Sequence, residues 1–79
     1  MSNLRYVIIS QVNCGYCEKA KKLIEEHEYE FEELDVEPLK PFLKALGLTT
    51  VPQVFEIFEG MVFHVGTYED LLVDLPPRL

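Results

Sequence analysis

The sequence predicts an α/β fold in the order β-α-β-α-β-β-α, a four-stranded mixed sheet flanked by three helices. Three observations predict it. A β-branched and aromatic run, Arg5 to Ser10, leads into a segment with helical apolar spacing. A second such pair follows: an alternating stretch from Tyr29 to Val36, then a Leu/Phe stripe behind Pro38. Last, two apolar runs around Glu59-Gly60 form a hairpin, and a helix-capping signature stands behind them.

Taken in order, Arg5 to Ser10 is almost all apolar, as expected of a central strand buried on both faces. Gln11-Val12-Asn13 is a loop. Glu18 to His27 reads as the first helix, with Cys17, Ala20, Leu23 and Ile24 on one side and Lys19, Lys21 and Lys22 on a solvated one. Tyr29 to Val36 alternates and then loses phase at Glu33-Leu34. Its carboxylates suit an edge strand that should not pair with other chains. Pro38 fits the first turn of a second helix, where no N–H is needed. Leu39, Phe42, Leu43 and Leu46 fall at i, i+3, i+4 and i+7, and Gly47 is placed to end that helix. Gln53 to Phe58 and Met61 to Val65 are the hairpin strands, and Gly66 breaks the second. Thr67-Tyr68-Glu69-Asp70 opens a short last helix that Pro76-Pro77 stops. The first two strands, joined through a helix, are parallel by the crossover rule.

With 79 residues, the chain is expected to form a single domain over 1–79. It is 48% hydrophobic and 27% charged, the balance of a globular protein. A formal net charge of −7 argues against nucleic acid and against an anionic membrane surface as partners. No apolar run is long enough to span a bilayer, and Met1-Ser2-Asn3-Leu4-Arg5 leads into no signal-peptide core. A reducing cytoplasm is the expected location.

The chemistry is concentrated at Asn13-Cys14-Gly15-Tyr16-Cys17. A C-x-x-C at a strand-to-helix turn is the sequence form of a thiol redox site. A helix start offers unpaired N–H groups and the positive end of the helix dipole, which favour a thiolate. Cys14 is therefore the expected nucleophile, with lowered pKa, and Cys17 the resolving thiol one turn deeper. A structural disulfide is a poor alternative, because closing so short a loop removes little entropy from the unfolded chain. Zinc would need about four ligands, and no second cysteine pair exists, so no metal site is expected.

Three motifs give the chain a resemblance to the glutaredoxins, small members of the thioredoxin-like fold. Cys14-Gly15-Tyr16-Cys17 resembles the family's C-[PSG]-Y-C site. Thr50-Val51-Pro52-Gln53-Val54-Phe55 resembles T-V-P-Q-[IV]-F. His64-Val65-Gly66-Thr67-Tyr68-Glu69-Asp70-Leu71 is similar to H-I-G-G-x-x-D-[LF]. The resemblance implies a dithiol enzyme that reduces protein disulfides or glutathione mixed disulfides with electrons from glutathione. It implies a cis Val51–Pro52 bond, with the Val51 backbone pairing to the cysteine of glutathione. Asp70 and the N–H groups of residues 67 and 70 would hold the γ-glutamyl end, and Tyr16 would line the groove. Disulfide-bearing proteins such as ribonucleotide reductase are the implied partners of a monomeric protein.

The pattern has departures. Gln11 and Thr49 stand where many glutaredoxins carry basic residues that meet the glycyl carboxylate. Their loss lowers the expected affinity for glutathione, since charge-assisted bonds are about twice as strong as neutral ones. Thr67 replaces a glycine, and Gly15 replaces the common proline between the cysteines. Two alternatives follow from the same resemblance. One is a glutathione-ligated [2Fe-2S] cluster carrier, which Gly15 permits. The other is a redoxin fed by thioredoxin reductase, which the missing basic residues favour.

Overall fold

The computed structural model describes residues 3–76. Met1-Ser2 of the N-terminal stretch and Pro77 of the expected helix stop lie outside the described residues. Strands β1 (Arg5–Ser10), β2 (Glu30–Asp35), β3 (Gln53–Phe58) and β4 (Met61–Gly66) form a sheet in the order β2-β1-β3-β4. β1 runs parallel to β2, with Tyr6 opposite Phe31, and antiparallel to β3, with Ile8 opposite Val54. The helices are α1 (Gly15–Glu26), α2 (Lys40–Ala45) and α3 (Tyr68–Asp74). This is the expected thioredoxin-like order, with the apolar run of β1 at the centre and the acidic strand at an edge.

Side chains alternate across the sheet, so β1 feeds two cores. Tyr6 and Ile8 pack with Ala20, Leu23 and Ile24 of α1, with Val54, and with Leu71 and Leu75 at α3. Ile9 packs on the opposite face with Val36 and Leu43. Burying each of the larger aliphatic side chains contributes about 1.5–3 kcal/mol. His27 donates from Nε2 to the Pro76 carbonyl at 2.7 Å, tying the end of α1 to the segment beyond α3.

Three local expectations need correction. The first helix begins at Gly15 rather than Glu18, because the Cys14 sulfur itself serves as its N-cap. The second helix is not continuous. Glu37–Leu39 form a 3₁₀ turn before α2 starts, with Pro41 in its first turn. The change of pitch splits the apolar stripe: Leu43 is buried, while Phe42 and Leu46 are 60% and 54% exposed. Gly66 does not break β4 but closes it. It pairs with Val54 while His64 pairs with Phe55, so Val65 is the extra residue of a bulge.

The chain reversals follow local chemistry. Gly47, at φ +76°, ends α2 by a Schellman motif: Leu48 N–H bonds to the Leu43 carbonyl and Gly47 N–H to that of Lys44. The same motif ends α1 at Glu28 without a glycine. Glu59 and Gly60 both have positive φ, the signature of a type I′ hairpin turn.

Candidate active site

Where β1 ends, Gln11-Val12-Asn13 carries the chain from the end of the strand to the start of α1. Asn13 takes a left-handed backbone (φ +61°), which asparagine tolerates better than most residues. That turn sets Cys14 at the first unpaired N–H groups of α1. Cys17 N–H donates to Cys14 Sγ at 3.1 Å, and Glu18 N–H donates to the Cys14 carbonyl at 3.2 Å. The two cysteines form a disulfide, with Cα atoms 5.2 Å apart. Their exposures differ: Cys14 is half-buried, whereas Cys17 is 1% exposed, on the face of α1 turned to the core. An incoming sulfur can reach Cys14 only.

Beside the cysteines runs a groove of about 340 Å³ lined by Tyr16, Thr50, Val51, Pro52, Thr67, Tyr68 and Glu69. The Val51–Pro52 bond is cis. Neither the N–H nor the C=O of Val51 has a partner among the described residues. The rings of Tyr16 and Tyr68 lie 6.0 Å apart and wall one side, with the Lys19 ammonium 5.2 Å over Tyr16. At the far end Thr67 and Asp70 form the expected capping box of α3. Thr67 N–H donates to Asp70 Oδ2 at 2.9 Å and its hydroxyl at 3.1 Å. These bonds hold the Asp70 carboxyl below its usual range.

Tyr16, Val51, Pro52 and Thr67 are thus brought together as sequence suggested. Gln11 lies elsewhere. It lines a neighbouring hollow of about 260 Å³, floored by Val36, Leu43, Leu48 and Val51 and rimmed by Lys40, Lys44, Thr49 and Thr50. Tyr68, Glu69, Lys40 and Lys44 were missed in the sequence. The i, i+4 spacing of the two lysines on either side of Leu43 was the signal that marked them.

Behind the loop, Ser10 Oγ donates to Glu33 at 2.6 Å, and Lys21 bridges Glu33 at 3.0 Å and Glu18 at 2.7 Å. The Ser10 hydroxyl and then the Lys21 ammonium depress the Glu33 carboxyl below its ordinary value of 4.5. A depressed carboxyl stabilises the fold above its unfolded pKa, and that contribution is lost as pH falls through the folded one. Unfolding in urea across the acid range should therefore show stability declining below about pH 4.5. Ser10→Ala should flatten that decline and leave the neutral-to-alkaline limb parallel to wild type.

A thioredoxin-like sheet with C-x-x-C at the start of its first helix defines a thiol–disulfide redox protein. The glutaredoxin family model matches residues 6–59, and the chain belongs to that family. Glutaredoxin 1 of Rickettsia prowazekii and that of Rickettsia typhi are each 37% identical over 82% of this chain. The chain spans 70% and 64% of their lengths. The solution structure of glutaredoxin from Brucella melitensis has a TM-score of 0.70 at 31% identity, covering 94% of this chain and 83% of that one. The Escherichia coli NrdH-redoxin, a glutaredoxin-like protein with a thioredoxin-like activity profile, shares the fold. Its TM-score is 0.67 at 22% identity, covering 95% of this chain and 99% of that one.

Proposed function

We propose that this protein is a dithiol glutaredoxin that reduces protein disulfides and glutathione mixed disulfides with electrons from glutathione in the cytoplasm. The observation that carries the reading is the asymmetric cysteine pair at the mouth of a groove with an unpaired peptide edge. Cys14 thiolate attacks one sulfur of the substrate disulfide, forms a mixed disulfide and expels the other half as a thiolate. Cys17 then attacks the Cys14 sulfur and releases the reduced substrate, leaving the Cys14–Cys17 disulfide. One glutathione thiolate opens that disulfide, and a second removes the first as glutathione disulfide. The Val51 peptide and Tyr16 would hold the substrate cysteine, Thr67 and Asp70 the γ-glutamyl end.

Glutathione as donor draws support from the hollow beside Gln11. The basic charge absent at Gln11 and Thr49 is supplied there by Lys40 and Lys44 of α2. Lys40 is paired with Glu37 at 3.0 Å, so Lys44 is the better anchor for a carboxylate. With NADPH and glutathione reductase as the coupled assay, Lys44→Glu should raise the KM for glutathione about fivefold at unchanged kcat. An unchanged KM would remove Lys44 from the glutathione site.

A second reading has its own observation. The groove nearest the cysteines carries the Glu69 carboxylate and no cation on its lining, which suits a redoxin fed by thioredoxin reductase. Turnover of a cysteine-peptide–glutathione mixed disulfide, driven by glutathione with its reductase or by thioredoxin reductase, separates the two. Turnover with thioredoxin reductase alone would replace the first reading by the second.

A further inference from the structure

The Thr50–Val51 peptide lies on the lining of the groove and is held by side chains that the disulfide exchange does not use. Gln53, at the start of β3, is 3% exposed. Its amide nitrogen donates to the Thr50 carbonyl at 2.9 Å and lies 3.3 Å from Thr50 Oγ1. The Thr50 carbonyl and the Val51 N–H belong to one planar peptide unit and point in opposite directions. Fixing the carbonyl therefore fixes the direction of the N–H. With the nitrogen of Gln53 committed to Thr50, its Oε1 faces His64 and accepts from Nε2 at 2.8 Å. Hydrogen-bond bookkeeping assigns the proton to Nε2, because an amide oxygen cannot donate.

His64 reaches Gln53 diagonally across the ladder. It stands opposite Phe55, its ring 5.0 Å from the phenyl centroid, and the bulge at Val65 lies directly beyond it. Two strands thus carry a continuous chain of bonds from the surface of β4 to a peptide on the groove lining.

We propose that His64 and Gln53 are positioning residues: the His64 Nε2–H orients the Gln53 amide, which locks the Thr50–Val51 peptide plane and aims the Val51 N–H at the backbone of a cysteine-containing substrate. The proposal rests on the reading that the Val51 edge pairs with a peptide substrate. It predicts an effect confined to substrates that have a backbone. The substrate pair that tests it is a cysteine-peptide–glutathione mixed disulfide and dithiobis(nitrobenzoate), which has no peptide group.

His64→Phe keeps a ring against Phe55 and deletes the donor. It should raise the KM for the peptide about fivefold, with kcat and the rate on dithiobis(nitrobenzoate) within about twofold of wild type. His64→Gln, whose amide nitrogen can stand where Nε2 stood, should restore the peptide KM to within about twofold. An unchanged peptide KM in His64→Phe overturns the proposal. So does an equal loss on both substrates, which marks a structural role, or a failure of His64→Gln to rescue. Wild type that turns over dithiobis(nitrobenzoate) but not the peptide would refute the functional reading itself, and the proposal with it.

Discussion

Cys14→Ser will eliminate reduction of both protein disulfides and glutathione mixed disulfides, by about a thousandfold or more, because the attacking sulfur is gone. Cys17→Ser will retain the glutathione mixed-disulfide reaction and lose the reduction of protein disulfides that needs the second sulfur. The asymmetry comes from geometry. Cys14 is half-buried and caps α1, while Cys17 is buried on its inner face. Only the first can meet an incoming disulfide, and only the second is positioned to resolve the mixed product. The Cys17 N–H that bonds the Cys14 sulfur at 3.1 Å would stabilise a thiolate there in the reduced protein. Iodoacetamide alkylation of the reduced Cys17→Ser variant should consequently reach half its maximal rate at a lower pH than that of a free cysteine. Full turnover by Cys14→Ser would refute the assignment of the nucleophile. A half-maximal pH equal to that of a free cysteine would refute the physical reason for it.

Gly66→Ala is expected to cost about 2–4 kcal/mol, the sum of backbone strain and a lost helix cap. Gly66 closes β4 at φ +122°, a conformation open to glycine and closed to residues with a Cβ. An added Cβ would also run into Asp70. The carboxylate oxygen is in the way, with Cγ at 2.8 Å and Cβ at 3.0 Å from the built position. Asp70 cannot swing aside without releasing Thr67 N–H and the Thr67 hydroxyl, which uncaps α3 and deforms the end of the groove. For a domain of this size the loss approaches half of a typical total stability. Urea denaturation should show the midpoint moving down with little change of slope, and the melting temperature should fall by about 10–20 °C. Adding Asp70→Ala to Gly66→Ala should relieve the clash with the carboxylate and leave the strain and the close approach of the two Cβ atoms. The double mutant would then be less destabilised than the sum of the singles. A Gly66→Ala protein melting within about 2 °C of wild type would show that the backbone there relaxes freely.

Most of the architecture was legible because hydrophobic period and turn chemistry agreed. Arg5 to Ser10 reads as a central strand from composition alone, and Glu59-Gly60 announces its hairpin. Legibility failed where one residue served two purposes. Cys14 carries the proposed reactive sulfur and also caps the helix, so α1 starts at Gly15, three residues before the expected Glu18. Glu28 takes the position that glycine usually marks, so the end of α1 carried no punctuation in the sequence. The four apolar residues from Leu39 to Leu46 fit one helical stripe on paper. Pro38 and Pro41 divide that stretch into a 3₁₀ turn and a short helix, and only part of the stripe reaches the sheet.

The candidate site divides along the same line. The linear sequence determined the cysteine pair and the capping box, because each is a local pattern with a local physical cause, while the Val51–Pro52 edge was implied by the family resemblance. Only the tertiary structure decided what surrounds them: Lys40 and Lys44 beside Gln11, Tyr68 against Tyr16, and His64 bonded through Gln53 to Thr50. Those contacts depend on strand register and on where a bulge falls. Both are set by how two cores pack on opposite faces of one sheet, and no short stretch of sequence encodes that packing.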